Sequence, residues 1–203
     1  MKNQGISTAI RSEIESFPVD TVFTAKDLTN VANTDNVRHT LKSLTDEGRI
    51  DRIARGLYCR PKYSTYLGRA MPPNIDNAAH AIARARGWSI APSKDHALNM
   101  LGLDTQVPAI YSYVSDGPYC KQAVGSYVIE FKHTANKDIA SMSPTTLLVV
   151  HALKALGKNN ITSEHLDFIA HHLSGEQKNS LLKETVRTSE WIRTAIVKIT
   201  RKD

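Results

Sequence analysis

The run Thr34–Arg60, TDNVRHTLKSLTDEGRIDRIARGLYCR, decides the fold. Its first half predicts one amphipathic helix. Val37, Leu41 and Leu44 recur at i, i+4 and i+7, so at 3.6 residues per turn they line a single face. Asp35, Arg38, His39, Lys42 and Ser43 then project from the flanks and the far side. Gly48 ends the helix as a left-handed cap does. Beyond it the pattern alternates: Ile50, Arg52 and Ala54 on one parity, Asp51, Ile53 and Arg55 on the other. Gly56 breaks the run, and Leu57–Cys59 returns as a second short strand before Pro61. A helix with a polar outer face followed by an arginine-bearing hairpin predicts the recognition helix and wing of a winged helix-turn-helix.

The segments before this run complete the expected order. Ile6, Ala9, Ile10, Ile14 and Phe17 form the stripe of a first helix that Pro18 ends. Thr24-Ala-Lys-Asp27 is a helix-start signature, with an acid at N3 where the helix dipole favours it. A short second helix puts Leu28 and Val31 inward, and Ala32–Asp35 supplies the turn and the next cap. Helix, short helix, turn, longer helix and hairpin is the winged-helix order.

Charge sharpens the reading. The chain of 203 residues has a formal net charge of +6 and a pI near 9.3. Between Arg49 and Lys62 stand five basic residues (Arg49, Arg52, Arg55, Arg60, Lys62) against one acid, Asp51. Two-thirds of the whole excess therefore sits in 14 residues, a footprint suited to a polyanion. The competing reading is a charged hairpin edge that resists aggregation.

Beyond the hairpin, residues 63–74, with Gly68, Pro72 and Pro73, read as a linker or docking arm. The expected division is 1–62 for the winged helix, 63–74 for the arm and 75–203 for the remainder. Helical spacing marks Ile75–Gly87 and a stretch after Ser93, whereas Ala109–Val114 and Tyr127–Lys132 alternate as strands about the turn Asp116-Gly117-Pro118. Ser143-Pro144 opens a helical last third, ending in a basic tail, Lys198–Lys202. The expected class is α+β: an N-terminal winged helix-turn-helix, a small α+β module and a helical C-terminal bundle.

Several function classes are disfavoured. No apolar run approaches the ~18 residues that span a bilayer, and the N-terminus lacks a signal-peptide core, so the expectation is a cytoplasmic protein without membrane contact. Cys59 and Cys120 are too few for a disulfide framework or a cysteine zinc site. His151, His165, His171 and His172 do not fall at metal-ligand spacing, and no phosphate-cradling glycine loop or nucleophile elbow occurs. We therefore expect no enzyme, no cofactor and no metal.

The segment Ala91-Pro92-Ser93 through Leu101-Gly102-Leu103-Asp104-Thr105-Gln106-Val107-Pro108-Ala109, followed by Ser115-Asp116-Gly117-Pro118 and Glu130-Phe131-Lys132-His133, resembles the AbiEi-like antitoxins. The wing sequence Arg55-Gly56-Leu57-Tyr58 is similar as well. The resemblance covers most of the chain, and the Leu-Gly-Leu…Gln-Val-Pro-Ala run is its most specific piece. It implies a transcriptional repressor of its own operon and the antitoxin half of a type IV toxin–antitoxin pair. The toxin there is nucleotidyltransferase-like, and the two proteins need not form a stable complex. Stand-alone winged-helix regulators and protein-interaction modules are the alternatives.

The chemistry of duplex recognition then nominates residues. An α-helix fits the ~12 Å major groove. Arg38 suits guanine and Asn36 adenine, with His39 and Ser43 beside them and Lys42 on a phosphate. Thr24, Lys26 and Thr34, at helix starts, are candidates to hold phosphates through hydroxyls and backbone amides. Arg52 and Arg55 flank the wing tip, where Gly56 lets the backbone come close. The expected partner is double-stranded DNA, an inverted repeat in the gene's own promoter, bound by a dimer.

Overall fold

Two compact units make up the computed structural model, which describes residues 2–106, 108–135 and 141–201, with side chains from Gly5 onward. Val107 of the AbiEi-like run and Lys202 of the basic tail lie outside the described residues. The first unit is Met1–Trp88 with Ala123–Tyr127, and the second is Ser89–Gln122 with Val128–Asp203. The architecture is α+β.

In the first unit, α1 (Lys2–Ser16) leads to strand β1 (Val22–Thr24), a 3₁₀ turn (Ala25–Leu28) and α2 (Thr34–Asp46). The hairpin β2 (Asp51–Ala54) and β3 (Leu57–Cys59) follows. The three strands form an antiparallel sheet in the order β1-β3-β2. Asn33 caps α2, its side chain accepting from the Asn36 amide at 2.9 Å. Val37, Leu41 and Leu44 are buried as their spacing requires, against Ile10 and Ile14 of α1, Phe23, Leu28 and Ile50. β1 did not show in the sequence pattern: three consecutive buried residues carry no alternation. The second helix is only a 3₁₀ turn, though Leu28 is fully buried.

The sheet register orients the unit. Thr24 pairs with Leu57, next to the Arg55–Gly56 tip, while Val22 and Asp51 pair with Cys59 at the far end. The chain leaves Thr24 into α2 and re-enters the sheet at Asp51. Gly56 has φ +73°, which glycine adopts without strain, and so permits the tight turn.

Residues 63–74, expected as a linker or docking arm, fall within the first unit. These residues contain a small hairpin, β4 (Tyr63–Ser64) with β5 (Arg69–Ala70), whose tip leaves Tyr66 94% exposed. The next helix, α3 (Ile75–Arg86), belongs to the first unit. Arg84 Nε donates to Asp27 Oδ1 at 2.8 Å, Lys26 Nζ to the Ala85 carbonyl at 2.7 Å, and Asn77 Nδ2 to the Asp20 carbonyl at 3.1 Å. Those partners lie far apart in sequence, so no local pattern announces them.

The strands β6 (Ile90–Pro92), β7 (Ile110–Ser115), β8 (Cys120–Val124) and β9 (Tyr127–His133) build a sheet ordered β6-β7-β9-β8, which belongs to the second unit except for the β8–β9 corner Ala123–Tyr127, and α4 (Asp95–Met100) lies between β6 and β7 in the chain. β7 and β9 run parallel and β6 antiparallel to β7. Among the described residues four helices follow: α5 (Pro144–Leu156), α6 (Ser163–His171), α7 (Gly175–Glu184) and α8 (Glu190–Thr200). Val149, Leu153, Ile169, Leu181, Ile196 and Ile199 are buried at their centre. Among the described residues no helix is long and apolar enough to cross a membrane.

Candidate nucleic-acid interface

The outer face of α2 follows from its helical phase. With Val37, Leu41 and Leu44 inward, Arg38, His39 and Lys42 emerge opposite and are exposed. None of the three has an ion pair or side-chain hydrogen bond among the described residues. Thr34 is exposed in the first turn and Asn36 half-buried on the flank. Asp35 also stands on this face, three and four residues before Arg38 and His39, which places it one turn away.

At the hairpin, Arg52, Arg55 and Gly56 are exposed. The ladder is irregular between Arg52 and Ala54, with Arg52 opposite Tyr58 and Ala54 opposite Leu57. Ile53 is thus the extra residue of a bulge, and the strict parity expected from the sequence does not persist through the strand. Tyr58 is half-buried and stacks on Phe23 with centroids 6.1 Å apart. It supports the hairpin from inside.

Other basic and hydroxyl side chains are drawn into the fold. Arg49 Nη2 donates to Glu15 Oε1 at 2.8 Å. Arg60 Nη1 donates to the Glu15 carbonyl at 2.7 Å and to the Phe17 carbonyl, placing positive charge where α1 leaves carbonyls unpaired. Ser43 accepts from Arg11 Nη2 at 3.0 Å and donates to Glu47 Oε1 at 2.6 Å. The two guanidinium nitrogens of Arg11 meet both Glu47 oxygens at 2.7 and 2.6 Å, locking α1 to the end of α2. Hydrogen bonds from Arg11 and then Ser43 hold the Glu47 carboxyl down at about 2. Thr24 is buried, and both its amide and its hydroxyl donate to Asp27 Oδ2, at 2.8 and 3.1 Å. Burial alone raises the Asp27 carboxyl, but Arg84 and Thr24 outweigh it and leave it lowered.

The structure thus brings Thr34, Asn36, Arg38, His39 and Lys42 onto one helix and Arg52, Arg55 and Gly56 onto the hairpin that follows it in the chain. Thr24, Lys26 and Ser43 are occupied by internal partners. From Arg52 to Ile75 the chain carries five cations and no acid, and Asp51 directly precedes that run.

The second unit has its own polar cluster. Glu130 is 7% exposed. It accepts from Tyr119 at 3.1 Å and Ser112 at 3.4 Å, with the ammonium groups of Lys121 and Lys132 at 3.3 and 3.4 Å. Burial raises its carboxyl, and the two lysines with Tyr119 more than reverse that. It is a single carboxylate surrounded by donors. No group of three or more His, Cys, Asp or Glu that could hold a metal occurs among the described residues. Burial pushes the Cys59 thiol up to about 12, with Asp20 and Asp51 adding to it, so it is not a nucleophile.

An α+β chain with an exposed basic helix face and a basic hairpin tip is the class these observations define. The chain belongs to the family described as a family of unknown function, DUF6088, whose pattern matches residues 9–181. No curated protein matches. Among solved structures it is similar to the crystal structure of the RV2827C protein from Mycobacterium tuberculosis, at 14% identity and a TM-score of 0.45. That similarity covers 97% of this chain and 76% of the other.

Proposed function

We propose that this protein is a winged helix-turn-helix DNA-binding repressor that acts on its own promoter. The observation that carries the reading is the α2 face with Arg38, His39 and Lys42 unpaired among the described residues, followed in the chain by a hairpin whose tip, Arg55–Gly56, is exposed. In this reading α2 lies in the major groove. Arg38 bonds a guanine edge, Asn36 an adenine, and Asp35 accepts from a cytosine amine, each good pair giving about 1–3 kcal/mol of discrimination. Lys42, Arg52 and Arg55 take phosphates, and Thr34 adds a hydroxyl at the helix start. Two copies read an inverted repeat.

The AbiEi-like run and wing sequence support a narrower role: the antitoxin of a type IV pair, opposing a nucleotidyltransferase-like toxin without a stable complex. A gel shift with the DNA upstream of the gene tests the first reading. Saturable retardation that survives excess unrelated duplex is expected; equal affinity for both duplexes defeats it. The narrower role requires a neighbouring nucleotidyltransferase gene whose growth arrest is relieved by co-expression of this chain. Persistent arrest refutes it.

A further inference from the structure

A groove of about 860 Å³ in the second unit runs between the start of α6 and one face of α8. Trp191, Thr194, Lys198 and Arg201 recur at helical spacing along that face. Opposite them stand Lys158 and Ser163, and Ile161, Leu166 and Ala195 supply an apolar floor. Trp191 is half-buried, packed against the bundle core. Lys158, Lys198 and Arg201 are exposed and form no ion pair among the described residues. Glu190 is the acid in the lining, so the groove carries a net charge of +2.

We propose that this groove binds a nucleoside phosphate, its phosphates on Lys158, Lys198 and Arg201 and its base against Trp191. Three features select that class. Three cations against one acid call for an anion of more than one charge. The volume falls within the roughly 300–1,000 Å³ of small-molecule sites and far exceeds what a bare phosphate fills. An aromatic side chain beside an apolar floor suits a planar base, whose face stacks there as bases do on aromatic platforms. A duplex does not fit the same place, because its bases are stacked on each other and only its backbone would reach the rim. The inference is independent of the repressor reading, since it uses no residue of the first unit.

Trp88 and Trp191 are the two tryptophans of the chain, so Trp88→Phe leaves Trp191 as the sole reporter. The full-length variant is titrated with ATP, adenosine and pyrophosphate, following Trp191 emission. Saturable quenching by ATP is expected, with much weaker responses to adenosine and to pyrophosphate. In the same background, Lys198→Gln with Arg201→Gln weakens ATP binding by about tenfold or more, as expected when charge-assisted hydrogen bonds are lost. Lys158→Gln, on the opposite wall, gives a second and separate loss, and circular dichroism melts confirm that each variant is folded. Absence of saturation, undiminished affinity in both lysine and arginine variants, or equal binding of adenosine or pyrophosphate overturns the proposal.

Discussion

Salt dependence gives the repressor reading its most quantitative exposure. Three side chains are assigned to phosphates in each bound chain: Lys42 on the outer face of α2, and Arg52 and Arg55 at the hairpin. All three are exposed and without ion pairs among the described residues. Each neutralised phosphate adds about −0.9 to the slope of log affinity against log salt, so three predict about −2.7 per bound chain. Raising salt from roughly 50 to 200 mM should then weaken binding about 40-fold per chain. Lys42→Ala combined with Arg52→Ala leaves one contact, a slope near −0.9 and a loss of only about 3.5-fold over the same range. The assay is fluorescence anisotropy on a labelled upstream duplex, with circular dichroism melts of both proteins as the folding control. A dimer doubles each slope but preserves their ratio, so the comparison does not depend on stoichiometry. A folded double variant with an unaltered slope would place the phosphate contacts elsewhere and refute the orientation of α2 and the hairpin.

The other perturbations separate base reading, core packing and the inter-helix clamp. Arg38→Ala should narrow the gap between upstream and unrelated duplex by about 1–3 kcal/mol while leaving the salt slope nearly intact; competition gel shifts measure it, and a uniform loss on both duplexes argues for a phosphate role instead. Leu41→Ala, at a fully buried position, should lower stability by about 2–5 kcal/mol in urea unfolding, and a change below about 1 kcal/mol would place Leu41 outside the core. The Glu47 carboxyl is lowered to about 2 by Arg11 and then Ser43. Its folded value lies below its unfolded one, so its stabilising contribution is present above about 4.5 and is lost as pH falls toward 2. Glu47→Gln should therefore show a shallower fall in melting temperature between those pH values than the parent chain, and parallel curves would deny the clamp.

How far the sequence could carry this reading depended on the range of the interactions involved. The periodicity of Val37, Leu41 and Leu44 fixed which face of α2 is buried, because a helix reports its own phase within two turns. The break at Gly56 was equally local, since a positive φ is a property of one residue. Interactions across long separations left no such trace. Arg11 and Glu47 are 36 residues apart and Arg84 and Asp27 are 57 apart; nothing in spacing or composition pairs them. That is why α3 looked like the start of the second half yet is fastened to the first unit, and why Thr24, Lys26 and Ser43 looked available. The same limit acts on the basic cluster. Its five cations looked equivalent in sequence, yet Arg49 and Arg60 hold the C-terminal end of α1, each through Glu15. What then faces solvent is a smaller set, Arg52 and Arg55 on the hairpin and Lys62 after it. Taking the structural pair out of the count therefore lowers the charge that a polyanion would meet on this segment from five cations to three.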